Sequence, residues 1–375
     1  MSWTKTEQKT LAVITSCGGS ISFVCSFAMM IAILGSKVKL STTYRRLFFG
    51  MIAFDIIKSV SYIFSSYAMP KGLFWGAIGN DATCTIQAFF THTGMIGSCF
   101  YSLAISICFF VVINCKRPRR NTKRLEMMLH IVTILCAIVS AIILFATGNF
   151  GPSGVQCWLA PKHPNFRTHS NLEHTTYGDP GVMRWIFVGF PFYFVYTMNC
   201  FIMFLIWRGQ LIQAKKNLRY RLGWTTTQNF PAQSTIIEHV SRSDCNATRF
   251  ANVPANHFTI AETDKKRMKH IRDLAYAFAL GFFLIYFFSM TYRLIEMYGI
   301  SEPPFVIVLL CRITCPLHGF VNMIIYTYPH VQSYHCNNPS HNIILSWIQA
   351  FWHVIKNGGD SDSKINKRLS LKRYS

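Results

Sequence analysis

The residues of this 375-residue chain best suited to chemistry stand where charge is hardest to keep. Asp55 and Lys58 lie three positions apart inside an apolar run, so on a helix they share a face and can pair. An ionisable group within a membrane span costs roughly 2.5–3.5 kcal/mol on insertion scales and therefore needs a partner or a task. Two readings follow for this couple: a buried structural ion pair, or a conformational switch linking the second, third and seventh helices. His92, Arg293, Glu296 and Arg312 fall in other apolar runs, all toward one end. Two arginines opening onto a cavity at that end suit a small anionic or phosphate-bearing ligand. Pairing of Arg293 with Glu296, or snorkelling of Arg293 to the surface, would serve structure instead. Signatures of catalysis are missing: there is no H-E-x-x-H, Walker loop or G-x-S-x-G, and His163, His169 and His174 lack metal-ligand spacing. Neither enzymatic activity nor a cofactor is expected, and residues 305–328 contain no lysine to carry a retinal Schiff base.

The elements that must position these residues are membrane helices. Hydrophobic residues make up 51% of the chain and charged ones only 14%, well below the quarter or so typical of soluble domains. A bilayer core about 30 Å thick needs roughly 20 apolar helical residues. Seven runs meet this, at 11–34, 47–69, 84–113, 127–147, 182–207, 271–298 and 305–328. The fold class expected is an all-α membrane protein, a seven-helix bundle at 11–328. The first run is too long for the apolar part of a signal peptide and has no small-x-small cleavage site before Lys37. The third contains Gln87, His92 and several serines, yet its length and aliphatic content favour a central, buried span.

Charge orients the bundle. Of the 37 Lys and Arg behind the net charge of +22, 28 lie in segments 35–46, 115–126, 208–272 and 329–375, and six in the alternate segments. The positive-inside rule then puts the N-terminus outside and the C-terminus in the cytoplasm of a multi-pass plasma-membrane protein. What looks like a nucleic-acid signal is thus a cytoplasmic face resting against anionic lipid. The sequon Asn246-Ala-Thr248 falls on that inner side and reads as a chance match.

Residues 1–10 are expected to form a short outer N-terminus, leaving no room there for a folded ligand-binding domain. Any external ligand must then reach the bundle itself. The outer loop at 148–181, punctuated by Gly, Pro and Asn, reads as irregular. The inner loop at about 209–270 carries Lys215 and Lys216 at one end and Lys265, Lys266 and Arg267 at the other, ends expected to continue helices five and six. With Lys116 and Arg117 these form a cationic surface available to a signalling protein. In the tail, 329–375, polar Asn342, Ser346, Gln349, His353 and Lys356 recur at helical spacing, so 342–356 should be an amphipathic eighth helix lying in the interface. Cys336 just before it is either palmitoylated or a free thiol. Lys367-Arg368-Leu369-Ser370 has the form of a kinase site.

Cys84 opens the third span on the outer side and Cys157 lies in the outer loop, both facing an oxidising compartment; they form a disulfide or remain two free thiols. Seven spans, an outer N-terminus, this cysteine pair and an amphipathic eighth helix together resemble a G protein-coupled receptor. Pro316-Leu317-His318-Gly319-Phe320-Val321-Asn322 with Tyr326, and Arg45-Arg46-Leu47 leading to Asp55, resemble the P-L-x-G-x-x-N-x-x-x-Y pattern of cyclic-AMP-receptor-like receptors. The third span ends Val111-Val112-Ile113-Asn114-Cys115-Lys116, without the acidic-Arg-aromatic triplet of rhodopsin-like receptors, and the seventh lacks N-P-x-x-Y. The resemblance implies that an agonist in the outer bundle moves helix six and opens an inner cleft for a heterotrimeric G protein. Pro316 and Gly319 would make a bend near Asn322 available as the switch. The competing reading is a seven-helix transporter of a small anionic solute, with Asp55, Lys58 and Arg312 along its path.

Overall fold

The computed structural model describes residues 3–36, 40–114, 122–160, 180–228, 255–297 and 304–337, with Asn342, Leu345, Gln349 and Trp352 beyond them. Seven of its helical segments are long and apolar enough to cross a membrane, so this is a multi-pass membrane protein. The first four are α1 (Lys5–Gly35), α2 (Thr43–Phe64), α3 (Asp81–Asn114) and α4 (Thr122–Ala146). The fifth begins with a short helix, α5 (Pro180–Arg184), passes through a π-helical turn (Trp185–Gly189) and continues as α6 (Phe190–Gln228). The sixth is α7 (Ala255–Met297); the seventh is α8 (Phe305–Thr314), a 3-10 turn (Cys315–Leu317) and α9 (His318–Asn337).

α1 starts six residues before the apolar run, so part of the short N-terminal segment 1–10 is helical. Thr4 caps it: Thr4 Oγ1 accepts from Glu7 N–H while the Glu7 carboxylate accepts from Thr4 N–H at 2.8 Å, a reciprocal capping box. Hydropathy reports which residues match hydrocarbon and is blind to a polar helical turn before it. The outer loop also departs from the irregular reading. Phe150–Ser153 (β1) and Gln156–Leu159 (β2) pair antiparallel, with Pro152 opposite Cys157, and Gly154 turns the chain at φ +70°. β2 is buried along its whole length, as is unusual for a loop strand.

The third span is the axis of the bundle, with 72% of its apolar window buried against 22% for the fourth. Close approach is built from glycine. A Cβ on Gly94 would meet the backbone N of Lys58 at 2.7 Å, and one on Gly97 would strike the Phe54 ring at 2.2 Å, so α2 and α3 are pressed together at these levels. Gly18 and Gly19 do the same for α1 against Pro316 and Tyr62. In membranes, where hydrocarbon drives no helix association, such small residues let backbones gain packing contacts. At the end opposite the hairpin, Arg46 pairs with Glu126 of α4 through Nε and, at 2.7 Å, through Nη2. Thr43 Oγ1 donates to the same carboxylate at 2.8 Å.

The continuation of the fifth and sixth spans as single helices to Gln228 and from Ala255 carries Lys215, Lys216, Lys265, Lys266 and Arg267 on helical backbone. Lys215 is exposed; the side chains of the other four lie outside the described residues, as do Lys116 and Arg117 entirely. Cys336 is on α9, its side chain likewise outside. Of 342–356, Asn342, Leu345, Gln349 and Trp352 are described, the last three helical, with Asn342, Leu345 and Trp352 exposed.

Candidate functional site

Two groups of polar side chains sit within the bundle, one at mid-depth and one beneath the hairpin. The mid-depth group is centred on Asp55, which is 0% exposed, with Lys58 at 1%. Lys58 Nζ is 3.1 Å from Asp55 Oδ1, as the i,i+3 spacing permits. Three other helices complete the shell. Ser98 Oγ of α3 donates to Asp55 Oδ1 at 2.7 Å, Asn322 Nδ2 of α9 donates to Oδ2 at 2.7 Å, and His318 Nδ1 of α9 stands 2.6 Å from Oδ1. Lys58 Nζ lies 3.0 Å from the same Nδ1 and 3.4 Å from Tyr286 Oη of α7. The second, third, sixth and seventh spans are therefore tied together through one carboxylate and one ammonium. A buried pair of charges persists only with such compensation, because desolvation otherwise exceeds the attraction between them.

His318 gives the cluster a proton-dependent element. Its Nδ1 can donate or accept, not both, yet it stands within hydrogen-bond distance of an acceptor, Asp55, and a donor, Lys58. Which of the two it bonds depends on where the proton sits. His318 was legible only as a letter inside the seventh-span pattern, and Ser98 and Tyr286 carried no signal beyond being polar or aromatic in apolar runs.

The seventh span changes from α to 3-10 geometry at Cys315–Leu317, five residues before Asn322. Pro316 has no N–H, so the irregularity falls at the proline and the turn tightens to 3-10. Gly319 follows at once. Its N–H donates to Ser22 Oγ of α1 at 2.8 Å, and a Cβ there would meet Ser26 Oγ at 2.2 Å. Tyr326, two turns further on, stacks on Phe48 of α2 with ring centroids 4.9 Å apart.

The hairpin is fastened over the other group. Cys84 and Cys157 are joined by a disulfide that ties β2 to α3. Gln87, one turn along α3, adds a second tie: its Oε1 accepts from Cys157 N–H at 3.0 Å, while Nε2 donates to Ser61 O and Ser65 O at 2.9 and 2.7 Å. Ser65 ends α2 at φ +40°, a conformation that a non-glycine residue holds only when its surroundings fix it. Under the hairpin turn, Val155 packs with Leu11, Ala12 and Val308 beside Trp3, Trp75 and Tyr292.

Arg312 stands next to this cap. A Cβ built on Gly154 would lie 4.0 Å from its Nη2, and the Trp3 ring is equally close to that point. Among the described residues no carboxylate is within ion-pair distance of Arg312. Gln156, buried on the hairpin two residues after Gly154, has an Oε1 with no hydrogen-bond partner among the described residues. Arg293 is elsewhere, its guanidinium 4.8 Å over Trp158 and 5.2 Å over Tyr292. It lines a cavity of about 130 Å³ together with Arg184. The two arginines read together from the sequence therefore do not share that hollow: Arg293 is on the Trp158 side of the hairpin and Arg312 at its turn.

His92 is fully buried, with Nε2 2.9 Å from Ser140 Oγ of α4 and its ring near Phe150, so it joins α3, α4 and β1. Its position in an apolar run fixed the depth but not the facing direction. Glu296 is on α7, its side chain outside the described residues. Among the described residues no group of His, Cys, Asp and Glu could hold a metal ion.

No family model matches the sequence, and no curated protein does either. Among solved structures, the chain is similar to squid rhodopsin, with a TM-score of 0.54 at 14% identity, over 96% of this chain and 93% of that one. The likeness extends over nearly the full length of both and is one of fold.

Proposed function

We propose that the protein is a cell-surface G protein-coupled receptor, with its N-terminus outside and its C-terminus in the cytoplasm. It binds a small extracellular ligand in the outer half of the bundle and activates a heterotrimeric G protein inside. The observation that carries this reading is the convergence of the second, third, sixth and seventh spans on Asp55 and Lys58 within a rhodopsin-type bundle. A ligand that shifts one of these helices at the outer end must break or remake contacts in that cluster, which is how small displacements become discrete rearrangements. The cyclic-AMP-receptor-like assignment rests on Pro316, Gly319, Asn322 and Tyr326 of the seventh span and on Asp55 of the second.

Arg312 and Gln156 are the residues we assign to the ligand, a cation and an orphan acceptor beneath the hairpin turn. Together they suit a small anion that also offers a hydrogen-bond donor. At the inner end, Lys116, Arg117, Lys215, Lys216, Lys265, Lys266 and Arg267 supply the surface for the G protein and for anionic lipid, and Cys336 is the residue available for palmitoylation. Arg312→Ala should abolish the ligand-induced nucleotide exchange of a reconstituted G protein while surface expression is kept. An unchanged dose-response would remove Arg312 from the site. The transporter reading needs a path past Asp55 and Lys58, both buried. Flux of an anionic solute into liposomes with no exchange on any G protein would favour it.

A further inference from the structure

The outer end of the fifth span is built differently from the other six. Between Pro180–Arg184 and the long helix that follows, the chain makes one π-helical turn, Trp185–Gly189. Such turns insert a residue into the helical ladder and recur where a site is being shaped. At Gly189 the Trp185 ring lies across the backbone, where a Cβ would meet its Cε3 at 2.3 Å. The ring then stacks on Tyr193, with centroids 6.0 Å apart and planes 10° from parallel.

Trp185 is a wall shared by two hollows. On one side is the cavity of about 130 Å³, lined by the guanidinium-bearing Arg184 and Arg293 and by Gly181 and Gly189. On the other is an open groove of about 420 Å³ lined, among the described residues, by Trp185, Ile186, Phe190 and Tyr193. Phe190 is 70% exposed and Ile186 51%, in a span that faces hydrocarbon. The groove runs from Trp185 to Tyr193, nine residues and roughly 12 Å of helix. Arg184 Nη2 donates to Leu159 O at 2.7 Å, and the Arg293 guanidinium lies over the Trp158 ring. Arg184 is near the start of the fifth span, Gly181–Ile212, and Arg293 near the end of the sixth, Arg272–Ile295, so both lie at the depth of lipid headgroups.

We infer that this composite hollow binds one anionic phospholipid of the surrounding leaflet, its phosphate against Arg184 and Arg293 and one acyl chain along Trp185, Ile186, Phe190 and Tyr193. A soluble anion would use the first hollow and leave the second without purpose. A zwitterionic lipid would bring its own ammonium beside two guanidinium groups. The inference does not depend on the receptor reading, since binding is measured without ligand or G protein.

The test is native mass spectrometry of the full-length chain, purified in detergent and titrated with phosphatidylglycerol or with phosphatidylcholine of the same acyl chains. Wild type should retain one phosphatidylglycerol in preference to phosphatidylcholine by about tenfold, the scale of one charge-assisted hydrogen bond. The double variant R184Q/R293Q should lose that preference. Phe190→Ala, which removes an exposed side chain and so leaves the fold intact, should weaken retention of both lipids. Equal retention of the two lipids by wild type would overturn the proposal, as would R184Q/R293Q and Phe190→Ala variants that both bind like wild type. Displacement of phosphatidylglycerol by soluble glycerol phosphate would also overturn it, by identifying the site as one for a free anion.

Discussion

His318 Nδ1 lies 2.6 Å from Asp55 Oδ1, although 263 residues separate them in the chain. The contact joins the second span to the seventh between two buried side chains, and Lys58, Ser98 and Asn322 share the same carboxylate.

Removing the negative charge from this cluster leaves an ammonium buried without compensation. Asp55→Asn is expected to lower stability by about 3–5 kcal/mol. The double variant D55N/K58M should lose clearly less than the sum of its two single changes, since it removes both charges. Thermal unfolding followed by tryptophan fluorescence gives the three values; simple additivity would show that the two residues are not coupled.

Glycine positions offer an internal comparison. At Gly94 an added methyl would press on backbone atoms of Lys58 at 2.7–2.9 Å, and backbone cannot rotate away. Gly94→Ala should cost about 1–3 kcal/mol or more as α2 and α3 are forced apart. Gly35 has nothing within 4 Å of its Cβ position, so Gly35→Ala should be neutral or stabilising. Comparable melting temperatures for the two variants would contradict the tight α2–α3 contact.

The hairpin is held twice, by the disulfide and by Gln87. Dithiothreitol should lower the melting temperature of wild type, consistent with about 2–4 kcal/mol for the bond, and should not affect a C84S/C157S variant. Gln87→Leu adds to this loss by leaving Cys157 N–H and two α2 carbonyls without their partner, at about 1–3 kcal/mol. A reduced protein that melts like the oxidised one would mean that Gln87 and packing suffice.

The Arg46–Glu126 pair has the same charges as the central cluster and a different setting. The Arg46 side chain is 32% exposed, so solvent screens the pair and the expected loss in Glu126→Gln is about 1 kcal/mol or less. Exchanging the two residues, R46E/E126R, should restore most of it. Losses on the scale of those at Asp55 would show that this end of the bundle is drier than its exposure suggests.

How much of this was legible before folding varies by residue. The seven apolar runs could be read directly, because spanning hydrocarbon requires about 20 apolar residues in succession and each run satisfies that condition locally. The Asp55–Lys58 pairing was legible for the same reason, since i,i+3 neighbours on a helix meet whatever surrounds them. The start of α1 at Lys5 was less visible, because the capping box of Thr4 and Glu7 makes helix out of residues that hydropathy counts as loop.

Helix facing and the hairpin at 150–159 were decided by tertiary structure. His92 and Arg312 look alike as isolated charges in apolar runs, yet one is enclosed by Ser140 and Phe150 and the other stands half-buried beside a glycine turn. The difference lies in how each helix rotates against its neighbours, which depends on small-residue contacts such as Gly94 with Lys58 and Gly319 with Ser22. The hairpin beside Arg293 and Arg312 has strands of four residues, too short for a hydrophobic period to register. Membrane insertion is a property of each segment's own composition, whereas the meeting of Asp55 with His318 depends on which faces of distant helices pack together.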